Sequence, residues 1–169
     1  MGLAQALLPE FDAEMAKTRA ILERLPEDKF DWQPHEKSTN LVGLATHITN
    51  LPSWVSMVLE RDELDINPPD GDSPHVEPIA SVADALARFD KNASGGRESL
   101  SSAEDEVFYQ PWSLLNGGEN IFTAPKVGVL RSFVMNHLIH HRAQLGVYLR
   151  MNDVPLPSVY GPSADEAGF

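Results

Sequence analysis

The chain has 169 residues, no cysteine, 42% apolar and 22% charged side chains, and a formal net charge of −12. That is enough chain for one domain with a real core, and the balance is that of a folded protein rather than a disordered one. The acidic excess repels nucleic-acid phosphates and anionic membrane surfaces, and the absence of cysteine removes disulfides, thiolate ligands and Cys nucleophiles together.

No apolar run approaches the ~20 residues that span a bilayer. The opening Met1 to Leu8 lacks a basic stretch and runs into Pro9-Glu10-Phe11. Neither a membrane anchor nor a signal peptide is expected, and the cytoplasm is the default compartment. Leu8, Phe11, Met15, Thr18, Leu22 and Leu25 recur at steps of three and four and predict a first helix. Pro9 suits its first turn, leaving Leu3 to Leu8 as a separate turn or a frayed start, and Pro26 ends it. From Pro26 to Asn40 the sequence reads as a loop held down by its aromatic residues.

A second helix begins at Thr39 or Asn40 and carries Leu44, His47, Leu51, Trp54 and Val58 on one face. Pro52 lies inside that pattern and predicts a kink, because it removes the hydrogen bond to Ile48. A Pro/Asp/Gly-rich connection follows from Asp65 to Pro78. Ser81 with Asp84 opens a third helix through Leu86, Phe89, Ala93 and Leu100. Gly95-Gly96 interrupts it, at roughly 2 kcal/mol relative to two alanines. Between Val107 and Thr123, strand-like residues flank Asn116-Gly117-Gly118, a short hairpin.

Thr123 and Pro125 then start the fourth helix, which runs to about Met151, with Asn152 as a left-handed stop and Pro155 beyond. The tail, Val154 to Phe169, is rich in Pro, Ser and Gly. The expected fold is all-α: a single domain, residues 1–169, built as a four-helix bundle with a short β-hairpin or irregular excursion before the last helix. Met135 and Ile139, with Gly128 and Gly146, point to the back of that last helix. This patch suggests a homodimer, unless the hairpin or the tail covers it.

The residues that carry chemistry are histidines. His137 and His141 lie one turn apart on a face otherwise made of Leu130, Val134, Leu145 and Tyr148. A buried polar ring must find a partner, and a divalent metal is one candidate. His47, inward on the second helix, supplies a third imidazole. Three neutral imidazoles suit Zn, Ni, Fe or Cu better than Mg or Ca, and they leave a coordination position open, as catalytic sites do. The plainer reading is that these rings only pack. His140, about 60° from His137 on the helical wheel, is the candidate catalytic base, with replacement of His141 as ligand or a helix–helix hydrogen bond as its alternatives. Arg142 and Arg150 have the simple role of favourable charge near a helix C-terminus. Trp32, Trp54 and Trp112 read as packing residues, and Trp54 is also a candidate substrate contact. No His-Glu-x-x-His, glycine-rich nucleotide loop or Ser/His/Asp arrangement is found.

The segment from Asn136 to Arg150, with its His137-x-x-His140-His141-Arg142-x-Gln144 core, resembles the signature of the DinB/YfiT-like superfamily of bacterial metalloenzymes. The Trp32-Gln33-Pro34 loop leading through Ser38 to His47, and the ending Pro157 to Glu166, fit the same likeness, which spans nearly the whole chain. Ala143 stands where the family usually has glycine. The resemblance implies a four-helix bundle, often dimeric, and a metal site at His47, His137 and His141. Tyr160, in the family-like ending, is a second candidate substrate contact. Characterised members are similar to thiol-dependent enzymes, S-transferases using bacillithiol and isomerases using mycothiol. A metal-dependent S-transferase acting on a small electrophile, with a low-molecular-weight thiol as cosubstrate, is therefore the first expectation. A metal-dependent hydrolase and a non-catalytic metal- or ligand-binding bundle are the alternatives.

Overall fold

In a computed structural model, which describes residues 2–69, 71 and 75–166, the chain is mostly helical with one small sheet. Residues 70 and 72–74 of the connection expected between Asp65 and Pro78 lie outside the described residues, as do the ends of the chain at residues 1 and 167–169.

Helix α1 (Leu3–Leu22) runs unbroken through Pro9, so Leu3 to Leu8 are neither a separate turn nor frayed. The start is held by the Leu3 N–H, which donates to Asp105 Oδ1 at 2.8 Å, and by burial of Ala4. Helix α2 (Leu41–Asn50) begins on the Asn40 cap, whose side chain accepts from the Gly43 N–H. As the sequence predicts, Pro52 breaks the second rod. A 3₁₀ turn over Leu51–Ser53 separates α2 from α3 (Trp54–Glu60).

Helix α4 (Val82–Ser102) has Ser81 as its cap, accepting from the Asp84 N–H. It does not break at Gly95-Gly96, contrary to expectation. The reason is packing. A Cβ on Gly96 would stand 2.7 Å from the Pro52 carbonyl oxygen and 3.2 Å from Val55 Cβ. The missing side chain lets α4 close onto the 3₁₀ turn, where a long-range contact replaces what helix propensity loses.

The sheet goes beyond the expected hairpin. Strand β1 (Glu63–Asp65) pairs parallel with β2 (Pro111–Asn116), which pairs antiparallel with β3 (Glu119–Pro125). Gly117 (φ 64°) and Gly118 (φ 80°) make the tight turn between β2 and β3, both in the left-handed region that this hairpin type requires. Asp65 fixes that turn from the neighbouring strand. Its carboxylate accepts from Gly117 N at 3.0 Å, Gly118 N at 2.7 Å and Asn67 N at 2.9 Å. An all-α fold is thus too simple a description. Between α4 and β2, the short helix α5 (Asp105–Tyr109) supplies the Asp105 anchor for α1.

The last helix starts later than expected, at Lys126 after Pro125, because Thr123 belongs to β3. It comprises α6 (Lys126–Val129), a π-helical stretch (Leu130–Asn136) and α7 (His137–Met151). In a π stretch each residue turns through a smaller angle than on an α-helical wheel, since bonds run i→i+5. Met135, placed on the back face by the wheel, is instead buried beside Leu7, Phe11 and Leu130. The back face at Ile139 and Gly146 lines a groove together with Leu156, Val159 and Tyr160 of the tail.

Helices α2 and α1 both pack on α7. The contact with α1 is ionic and buried, rather than the exposed helix-end charge expected of Arg142. Arg142 Nη2 donates to Glu14 Oε2 at 2.6 Å and to the Tyr160 hydroxyl at 3.0 Å, while Nη1 donates to the Glu14 carbonyl and Thr18 Oγ1. Arg142 and Glu14 are 3% and 4% exposed. Burial pushes the Glu14 carboxyl up, but hydrogen bonds from Lys17, Tyr160 and Arg142 together outweigh it and hold it below its ordinary 4.5. Arg150 pairs with Asp165 of the tail, at 45% and 26% side-chain exposure.

Gly96→Ala is expected to lower stability by about 1–3 kcal/mol through overpacking. Gly95→Ala, where a Cβ meets nothing within 4 Å, should gain about 0.5–1 kcal/mol. Urea midpoints of the two variants check this. Arg142→Ala, which leaves Glu14 with Lys17 and Tyr160 alone, is expected to cost about 1–3 kcal/mol. Because the folded-state pKa of Glu14 is depressed, its contribution is complete above the unfolded value and is lost as pH falls below 4.5. A urea titration against pH should show that acid-side slope reduced in Glu14→Gln.

Candidate metal centre

His47 lies on α2 between buried Leu44 and Leu51, so the apolar stripe that seats the helix also turns the imidazole inward. His137 opens α7 and His141 follows one turn later, both half-buried on the side facing α2. The ring centroids of these three are 4.9 Å (His47–His137), 4.7 Å (His47–His141) and 4.6 Å (His137–His141) apart. One potential ligand nitrogen from each lies within 4.8 Å of the others. His47 Nε2 and His137 Nε2 approach to 3.2 Å.

Neighbouring groups decide which nitrogen faces inward. His137 Nδ1 lies 3.2 Å from the Phe133 carbonyl, which only accepts, so the ring N–H points there and Nε2 keeps its lone pair. His141 Nδ1 lies 2.7 Å from Gln144 Oε1, with the same result. Such outward N–H bonds orient histidine ligands in metal sites and raise their basicity. Burial, then the charges of His141 and His137, push the His47 pKa down to about 4. His137 is lowered as well, by burial first and by His141 next. Both shifts favour the neutral ring that a metal ligand requires.

The donor set fits a divalent transition metal. With metal–nitrogen bonds of about 2.0–2.1 Å in a tetrahedral shell, ligand nitrogens stand roughly 3.3 Å apart, close to the separation of His47 and His137. Among the described residues no carboxylate joins the three imidazoles.

A cavity of about 300 Å³ opens beside His47, walled by Trp54, Met57, Leu64, Trp112 and Phe133. The Trp54 ring stands 6.0 Å from His47 and 5.7 Å from His137, so the structure brings this candidate substrate contact to the centre. His140 is exposed, 4.9 Å from His141 between ring centroids, and lines an open cleft with Ser132, Asn136 and His137. Tyr160 is not brought to the cluster. Its hydroxyl donates to Glu14 Oε2 at 2.7 Å and accepts from Arg142, and its ring lines the groove under the tail. Its role here is to anchor the tail.

The match to a family model covers residues 1–167, and that model describes the DinB family. The chain belongs to the DinB family. Among solved structures, it is similar to a DinB-like protein from Bacillus cereus, at 21% identity and a TM-score of 0.69, over 92% of this chain and 97% of that one. A DinB-like protein from Bacillus subtilis is similar at 18% identity and a TM-score of 0.68, over 92% and 99%. No match is found among curated proteins. These likenesses carry the DinB fold, while the site rests on the histidine geometry.

Two functional groups escape sequence reasoning to different degrees. Gln144 lies within the quoted signature, three residues after His141, where i,i+3 neighbours on a helix meet. The Phe133 carbonyl is a backbone group in a π stretch, and no residue type announces it. No helix of the described residues is long and apolar enough to cross a membrane.

Protein purified without a nickel column and dialysed against Zn or Ni is expected to bind metal stoichiometrically. His47→Ala, His137→Ala and His141→Ala should each abolish this, and His140→Ala should not. Gln144→Leu should weaken affinity roughly 10–100-fold by freeing the His141 ring. Elemental analysis after desalting reads all five variants, and equal metal in wild type and the three ligand variants would contradict the assignment.

Proposed function

We propose that this DinB chain is a metal-dependent thiol S-transferase, with its centre carried by a bundle of four rods: α1, α2–α3, α4 and α6–α7. The supporting observation is three imidazoles that converge with no described carboxylate joining them, directly beside an apolar cavity. A divalent metal held there, Zn or Ni by the donor chemistry, supplies Lewis acidity that lowers the pKa of a thiol or water at the open position.

The chain's own residues account for the rest. With no cysteine in the sequence, the thiol is a cosubstrate of low molecular weight. His140, exposed at the rim, takes the thiol proton. The sulfur then bonds to the electrophilic carbon, and the leaving group departs with the electron pair of the broken bond. Trp54 and Phe133 hold the apolar body of the electrophile and keep water from it.

Storage of metal is the weaker reading, because a closed shell needs a fourth protein ligand and the described His, Cys, Asp and Glu supply three. Hydrolysis uses the same open position with water in place of the thiol, and the assay separates the two.

Thiol consumption is to be followed with chlorodinitrobenzene or monochlorobimane, offering bacillithiol, mycothiol or glutathione. The expected result is a rate that needs the metal, vanishes in His141→Ala and falls roughly 10²-fold in His140→Ala. Absence of metal-dependent thiol loss with all three thiols would remove the transferase reading. Metal-dependent cleavage of an activated ester under the same conditions would put hydrolysis in its place.

A further inference from the structure

Among the described residues, Trp112 Nε1 is the buried side-chain polar atom without a hydrogen-bond partner. The residue is 2% exposed, held on β2 opposite Ala124 of β3, with the Phe122 ring 6.2 Å away. Buried indole N–H groups ordinarily find an acceptor, and an unpaired one in a native core calls for an explanation. Trp112 is also part of the wall of the cavity that opens at His47.

The lining of this cavity narrows what it takes. Among the described residues it contains no Lys, Arg, Asp or Glu, and its polar groups are those of His47, Asn50, Trp54 and Trp112. An ionised ligand would lose its hydration there without a charged partner, which disfavours it strongly. At about 300 Å³ the space holds a single ring with a short substituent rather than a large cofactor. Ile66 and Val76, both lining it, are 42% and 40% exposed, so its outer edge is apolar as well.

We propose that this cavity binds an uncharged aromatic electrophile bearing a carbonyl or nitro oxygen, and that Trp112 Nε1–H donates to that oxygen. The word electrophile rests on the transferase reading, whereas the binding itself does not. Trp112 thereby orients the ligand, and Trp54 and Phe133 flank it next to the three histidines. The N–H is closed off in this conformation, so uptake displaces part of the wall around it.

The test is observation of the indole N–H signals of ¹⁵N-labelled protein, metal-free and metal-loaded. The chain has three tryptophans, and Trp112→Phe identifies the signal by its disappearance. Acetophenone is expected to move that signal downfield saturably in both forms, and ethylbenzene, matched in shape but without an acceptor, to leave it in place. Trp112→Phe should weaken acetophenone roughly fivefold and ethylbenzene not at all, the loss of one neutral hydrogen bond. Leu114→Trp, which fills the cavity, should exclude both. An unmoved Trp112 signal, or equal shifts with the two ligands, would overturn the proposal even if metal-dependent thiol consumption is found. A selective shift without any thiol consumption would uphold the site and discard the reaction.

Discussion

Helix α7 is pinned about its own axis by two consecutive residues. His141 and Arg142 point about 100° apart, and each meets a different partner. The imidazole meets His47 of α2, and the guanidinium meets Glu14 of α1. Rotating α7 toward either helix would break the other contact. The ion pair is the costlier of the two to disturb, since a buried charge left alone is far worse than a buried pair. The position of the histidine cluster is therefore set in part by a salt bridge that touches none of its rings, reinforced by Tyr160 and, through it, by the tail.

The cavity has a separate origin. Its floor is helical, from Trp54 and Met57 of α3, and its far wall comes from Leu64 of β1 and Trp112 and Leu114 of β2. The sheet stands there because Lys126, buried at the start of α6, donates to the Leu59 carbonyl at the end of α3 and pairs with Asp62 just before β1. Asp65 then clamps the Gly117-Gly118 turn. A short strand far in sequence from its partner thus supplies an apolar wall to the cavity that His47 lines.

What was legible in the sequence follows from what has a period. The faces of the long helices, the kink at Pro52, the caps at Asn40 and Ser81 and the tight glycine turn all rest on local residue chemistry, and all appear. The three histidines were legible because polar rings broke an apolar stripe at helical spacing. What escaped depends on contacts distant in sequence. Gly96 reads as a helix breaker until Pro52 is seen against it. Arg142 reads as an end charge until Glu14 appears beneath it. β1 has three residues and no period to show. The π stretch shifts the wheel by winding alone, which moved Met135 from the back face into the core.

Packing and coordination make different demands on three imidazoles, and hydrogen-bond bookkeeping separates them. His137 and His141 each spend their one N–H outward, on Phe133 and Gln144. Both therefore present acceptors to the interior. His47 has one N–H, and at 3.2 Å it can serve His137; the half-buried His141 ring faces the same two imidazoles. Burial opposes a proton on His47, pushing its pKa down to about 4. A divalent cation satisfies all three lone pairs at once and shares its charge among them. The outward N–H of two of the three rings leaves their lone pairs in the arrangement that a divalent metal would need.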